Sequence, residues 1–197
     1  MTRLIFVRHG ETEWNALRKL QGQADIGLSP VGLRQVQMLQ PLVTRFGVER
    51  VVASDLRRTR ETSAALGFAE PIFDPRLREA DLGRWTARHI DQLRAEQGAA
   101  YAGWRAGSYT PPEAESWEAL LARVRSAIDD LLALGGVQLV VTHGGPIRAA
   151  CRYLLDLHPH HVLPVAPASL TVIDVNDRPR LVVYNFTARP LEFDTPD

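Results

Sequence analysis

Three short apolar runs, at residues 4–7, 51–53 and 137–141, punctuate a chain whose other apolar residues recur mostly at helical spacing. The runs are continuous rather than alternating, the pattern of strands buried on both faces of a largely parallel sheet. Ser29-Pro30 supplies an N-cap and a proline at the first helical position, and Leu33, Val36, Leu39 and Val43 then follow at helical spacing. A second helix is predicted from Leu56 to about Leu66. A third, over Trp117–Leu134, carries Leu120, Leu121, Val124, Ile128, Leu131 and Leu132 on one face and ends at Gly135-Gly136. A fourth begins after Gly144-Gly145-Pro146 and runs to about Leu155. Strand alternating with helix in this way predicts an α/β fold, a three-layer α/β/α sandwich around a mostly parallel sheet. The tail breaks the alternation: residues 169–175 and 180–186 flank Asn176-Asp177 and read as a closing antiparallel hairpin. Residues 85–116, with Gly98, Gly103, Gly107 and Pro111-Pro112, read as a less regular insertion over one sheet edge, within a single domain spanning 1–197.

Composition narrows the function classes. The 197 residues carry 23 Lys+Arg against 23 Asp+Glu, so no overall basic field exists for non-specific nucleic-acid binding. The basic side is nonetheless almost entirely arginine, Lys19 being the one lysine, and arginine presents a planar fork of donors suited to phosphate. The one cysteine, Cys151, excludes an internal disulfide framework, and its place beside Ala149 and Ala150 reads as core packing. The apolar run at 4–7 is stopped by Arg8-His9, too short for a membrane span or a signal peptide, so a cytoplasmic protein is expected.

In open α/β sheets ligands bind beyond the carboxyl ends of the strands. The first strand delivers Arg8-His9-Gly10 there, the second Ser54-Asp55-Leu56-Arg57-Arg58, and the third Thr142-His143-Gly144-Gly145. Two imidazoles, several guanidiniums and two helix N-termini would share one edge, and each of these favours an anion such as phosphate. A neutral imidazole can attack phosphorus, arginines can hold the equatorial oxygens, and a carboxyl must protonate the leaving alkoxide. Residues 77–83 supply the candidate acids, Glu79 or Asp81, and no metal is needed. Spacing alone leaves Arg57, Arg58 and Arg60 undivided, two of the three being expected on a solvated helix face. His158-Pro159-His160-His161 has no ligand spacing typical of a metal site and reads as a surface loop. Trp14, Trp85, Trp104 and Trp117 are expected to divide between core and pocket wall.

Residues 4–15, Leu-Ile-Phe-Val-Arg-His-Gly-Glu-Thr-Glu-Trp-Asn, closely resemble the signature of the histidine phosphatase superfamily, in its phosphoglycerate mutase-like branch. Gln21-Gly22 with Leu28-Ser29-Pro30, the 54–62 segment, Leu77-Arg78-Glu79 with Gly83 and Trp85, 141–148, Ala168-Ser169-Leu170-Thr171 and Tyr184-Asn185 resemble further family blocks in the same order. The resemblance implies that His9 is the phosphorylated nucleophile, that Arg8, Arg58 and His143 form the phosphate pocket, and that Glu79 is the proton donor. It also implies that Asn15, Gln21, Gly22 and the backbone at Gly144 line the substrate side. Metal and cofactor are absent from this scheme, and the expected ligand is a small phosphorylated metabolite.

Two departures stand out. Thr86-Ala87 occupies positions where the family commonly has Glu-Gly, and Glu113-Ala114 replaces a glycine pair. An acid at 113 facing the pocket would repel highly anionic substrates. The expected activity is a phosphatase. The alternative is a cofactor-dependent phosphoglycerate mutase, which the compact variable stretch, holding Arg84, Arg88, Arg94 and Arg105 but no lysine, disfavours. A non-catalytic phosphate-binding domain would require loss of His9, Arg58, Glu79 or His143, and all four are present.

Overall fold

A computed structural model describes residues 2–188. Its sheet has six strands: β1 (Thr2–Arg8), β2 (Arg50–Ala53), β3 (Ile72–Phe73), β4 (Gly136–Thr142), β5 (Leu170–Val175) and β6 (Arg180–Phe186). Their spatial order is β3-β2-β4-β1-β5-β6. The first four are mutually parallel, and the hairpin closes the sheet, β5 running antiparallel to β1 and β6 antiparallel to β5. The expected α/β sandwich and its closing hairpin are therefore present.

The continuous apolar runs have a direct cause, because successive side chains enter different cores. Leu4, Phe6 and Val140 join a core with Leu120, Val124, Ile128 and Ile147. Ile5, Val7, Leu139 and Val141 join the opposite core with Val36, Leu39, Val43 and Leu66. Helices α2 (Pro30–Thr44) and α3 (Arg57–Ala65) cover the second face, while α5 (Trp117–Leu134) and α6 (Gly144–Leu155) cover the first. Ser29 caps α2 through its side-chain oxygen, which accepts from the Gly32 N–H. The stripe on α2 is narrower than expected, for Leu33 lies exposed while Gly32 takes the contact position. A Cβ at Gly32 would lie 2.0 Å from the Glu11 carbonyl oxygen, so only glycine lets α2 pack under the loop that follows β1.

The chain between Trp85 and Ser116 is more regular than its sequence suggests. After the short α1 (Glu13–Ala16), the remaining helix α4 spans Ile90–Ala106, kinked at Gln97 where φ is −139° and ψ 42°. Its buried residues, Ile90, Leu93 and Tyr101, lie on both sides of the kink, and Gly98 and Gly103 weaken its propensity. Trp85 is fully buried, with ring centroids 6.4 Å from Tyr101, 5.7 Å from Tyr109 and 5.9 Å from Trp104. Cys151 is buried in the core, as expected. Among the described residues no helix is long and apolar enough to cross a membrane.

Candidate active site

One cavity opens at the carboxyl edge of the parallel strands, where each strand hands a polar residue to the loop or helix that follows. Its lining includes Arg8, His9, Gln21, Gly22, Arg58, Glu79 and Gly144 among the expected residues, together with Trp104, Arg105, Trp117, Leu120 and Arg148. His9 follows β1, and its main-chain N–H donates to the Thr142 carbonyl at 3.0 Å. His143 follows β4, and the two imidazole centroids are 5.2 Å apart.

Hydrogen bonding settles both tautomers, since a carbonyl can only accept and a guanidinium can only donate. His9 Nδ1 lies 2.7 Å from the Gly10 carbonyl oxygen, so Nδ1 carries the proton and Nε2 keeps its lone pair. Arg58 Nε donates to His143 Nδ1 at 3.2 Å, so His143 carries its proton on Nε2, 2.8 Å from Ser54 Oγ. Burial pushes both imidazoles well below the ordinary value of 6.5, and the guanidiniums of Arg58 and Arg8 add to the shift. Both histidines are therefore neutral near neutral pH.

Arg58 is wholly buried, and its two Nη atoms donate to the carbonyls of Gly22 at 2.8 Å and Ala24 at 2.7 Å. Gly22 adopts φ +51°, a left-handed conformation that glycine takes without strain and that turns its carbonyl to this task. Burial pulls Arg58 down to about 10, where it remains cationic. Arg57, one position earlier, points outward to Glu61 at 2.7 Å, and Arg60 stacks on Phe73 at 4.8 Å. Helix geometry thus resolves what spacing left open, and two of the three arginines are indeed peripheral. Arg8 donates through Nη1 to the Val165 carbonyl, while its buried Nε lacks a partner.

Glu79 reaches across to the N-terminus of α6, where both carboxylate oxygens accept from the Gly145 N–H at 3.1 and 3.2 Å. A Cβ at Gly145 would stand 2.2 Å from Glu79 Oε1, so alanine there would push the carboxylate off this N–H. Asp81 instead accepts from the Gly83 N–H in an exposed turn.

Other expected residues fall elsewhere. Gln21 lines the cavity with a buried Oε1 that has no partner. Asn15 does not line it: its Oδ1 accepts from the Thr12 N–H and hydroxyl and so caps α1. Glu113 is exposed and pairs with Arg84 at 2.5 Å, outside the pocket lining, so the repulsion expected of it is absent. Of the four tryptophans, Trp104 and Trp117 form pocket wall, whereas Trp14 lies beside Lys19. Residues 158–161 form a short turn, Pro159–His161, and no group of three or more His, Cys, Asp or Glu placed to hold a metal occurs among the described residues.

Sequence reasoning assigned no role to Ser54 or Arg148. Ser54 immediately follows β2 at the strand-end edge, a position that could have flagged it. Arg148 lies three and four residues beyond Gly145 and Gly144 on α6, hence on the same helix face.

Two buried neutral imidazoles also predict how stability depends on pH. Between their depressed folded values and 6.5 the unfolded chain holds more protons, so stability rises with pH. The contribution is complete above about pH 6.5 and is lost as pH falls below it. Urea midpoints measured without phosphate should fall on going from about pH 7.5 to about pH 5, before carboxylate titration dominates. A flat profile would contradict neutral burial of both rings.

The model of the histidine phosphatase superfamily (branch 1) matches residues 4–187. The chain is 34% identical over 194 residues to "Probable phosphoglycerate mutase GpmB" of Enterobacter sp. (strain 638), covering 92% of this chain and 88% of that one. It is 36% identical to the protein of that name from Yersinia enterocolitica, with the same coverage. Among solved structures, a mycobacterial glucosyl-3-phosphoglycerate phosphatase in complex with VO3 aligns with TM-score 0.87 and 32% identity, over 94% of this chain and 99% of that one. Bacillus stearothermophilus YhfR aligns with TM-score 0.83 and 28% identity, over 94% and 97% of the two chains. By sequence and by fold, the chain belongs to the histidine phosphatase superfamily, branch 1.

Proposed function

We propose that the protein is a metal-independent phosphatase of small phosphate monoesters, acting through a phosphohistidine at His9 within one domain spanning 1–197. The observation that carries this reading is the state of His9: a neutral imidazole with a free Nε2, in a cavity it shares with Arg8, Arg58 and Glu79. In the first step the Nε2 lone pair forms a bond to phosphorus and the ester P–O bond breaks. Glu79 is the group that delivers a proton to the departing oxygen. Arg8 and Arg58 hold the phosphoryl oxygens as charge builds on them, while His143, accepting from Arg58 and bonded to Ser54, orients the Arg58 guanidinium. In the second step Glu79 takes a proton from water, the water oxygen bonds to phosphorus, and the P–N bond breaks to release phosphate and neutral His9. Gln21, Gly22 and the backbone at Gly144 line the substrate side, and the 85–116 segment covers it through Trp104 and Arg105.

Hydrolysis of p-nitrophenyl phosphate should persist in excess EDTA. Loss of turnover on chelation would overturn the metal-independent mechanism.

Phosphoglycerate mutase is the second reading, supported by the names of the sequence relatives. The variable stretch favours hydrolysis, because only Arg105 of its four candidate arginines lines the cavity. Arg84 and Arg88 are spent on Glu113 and Glu96, and Arg94 lies over the Tyr101 ring. Incubation with 3-phosphoglycerate and 2,3-bisphosphoglycerate separates the two: inorganic phosphate is expected, and 2-phosphoglycerate as the main product would establish the mutase.

A further inference from the structure

We propose that Arg123, with Glu115 as its counterion, is the positioning residue that holds Glu79 at the reacting centre. This deepens the phosphatase reading and rests on Glu79 being its proton donor. Arg123 projects from α5 beneath the segment that carries Glu79, and all five of its N–H donors are engaged. Nη1 donates to the carbonyls of Arg76 and Arg78, both at 2.7 Å, and Nη2 donates to the carbonyl of Glu79 at 3.0 Å. Nε and Nη2 form a two-pronged pair with Glu115 at 2.6 and 2.7 Å. Glu115 is tied in turn to the far side of the same segment, its main-chain N–H donating to the Asp81 carbonyl at 2.9 Å. One guanidinium thus gathers three carbonyls from four consecutive residues of a segment that has no long helix or strand of its own.

The fork matters because the segment ends in a carboxylate whose position is otherwise held by few contacts. Among the described residues its oxygens accept from the backbone N–H groups of Gly145 and, at 2.9 Å, Ala80. From the other side Gln23 Nε2 donates to the Glu79 carbonyl at 3.1 Å. The Arg123–Glu115 pair is largely buried, with side chains 20% and 15% exposed, so solvent screens it little. Arg123 is absent from the cavity lining and meets it through its hydrogen bond to the Glu79 carbonyl. Lysine, a single ammonium with three donors, cannot span this set of acceptors.

The test is Arg123→Gln, assayed with an alkyl phosphate and with p-nitrophenyl phosphate. A displaced proton donor should lower kcat for the alkyl ester by about tenfold or more, and for p-nitrophenyl phosphate by less than about threefold. KM should stay within about twofold, because Arg8, Arg58 and His9 are untouched. In a Glu79→Gln background the same change should cost almost nothing more, as expected of two residues acting through one group. A readout independent of turnover is amide hydrogen exchange, in which protection at Ala80 and Gly145 should fall selectively. Arg123→Lys should recover only part of the alkyl-ester rate, and Glu115→Gln provides a second route if Arg123→Gln does not fold. Equal losses on both esters, additive loss in the Glu79→Gln background, or unchanged protection at both amides would each overturn the proposal. If Glu79→Gln shows no leaving-group dependence, the acid role itself falls, while the exchange measurement still decides whether Arg123 holds the carboxylate.

Discussion

Replacing His9 with alanine is expected to abolish turnover, lowering kcat by about 10⁵-fold or more, and to remove the acid-labile phosphoryl label from the protein. The size of the effect follows from what else the pocket can offer. His143 is held between Arg58 and Ser54, its Nδ1 lone pair already accepting from Arg58 and its other nitrogen donating to the hydroxyl. It has no free lone pair with which to take over the attack. Glu79, the pocket carboxylate, is turned to the N-terminus of α6. Arg8 and Arg58 do not depend on the His9 ring for their own contacts, which run to the carbonyls of Val165, Gly22 and Ala24. The variant should therefore still bind inorganic phosphate, detectable by calorimetry, and this separates loss of the nucleophile from loss of the site. The label is read by alkaline quench after mixing with a phosphate ester, since a P–N bond survives alkali and breaks in acid. Turnover above about 1% of the parent enzyme would refute the assignment, because a residual rate over water is far smaller when a nucleophile is removed.

For Glu79→Gln the expected loss depends on the leaving group. General acid catalysis contributes roughly 10²–10⁴-fold, and an alkoxide needs all of it, whereas p-nitrophenolate departs readily without a proton. The carboxamide keeps an oxygen that can accept from Gly145, so the segment should keep its position and only the transferable proton is lost. An alkyl phosphate should consequently lose turnover far more than p-nitrophenyl phosphate does. Equal losses would show that Glu79 acts on binding or on geometry rather than on the leaving oxygen.

Much of the site was legible in the sequence because the parallel sheet collects its strand ends on one edge. A run of apolar residues followed by His-Gly, twice, places both imidazoles there before any contact is known. The hairpin that closes the sheet was equally readable, since β5 and β6 flank a turn-forming Asn-Asp pair. Distinguishing Arg58 from Arg57 depends on helix phase. One residue is 100° of rotation, enough to put one guanidinium in the pocket and the next on Glu61 in solvent. The segment from 85 to 116 was least legible. Helix α4 is interrupted at Gln97, and Gly98 and Gly103 lower the helical signal of its second half.

Asn15 and Arg123 mark the boundary most clearly. Asn15 belongs to a well-matched motif, yet its oxygen is taken by Thr12, a local contact three residues away that a motif cannot reveal. Arg123 carries no motif at all, and its five donors meet carbonyls more than 40 residues distant and a carboxylate eight residues back. Periodicity and strand-end chemistry, both properties of neighbouring residues, were enough to predict the α/β layers and the candidate phosphate-binding edge, and the resemblance of the ordered motif blocks gave the family. Which donors are already satisfied and which arginine faces inward are decided by contacts between distant segments. Those contacts form only when the layers pack, because burial removes water as the competing partner and leaves each polar group the neighbours the fold provides.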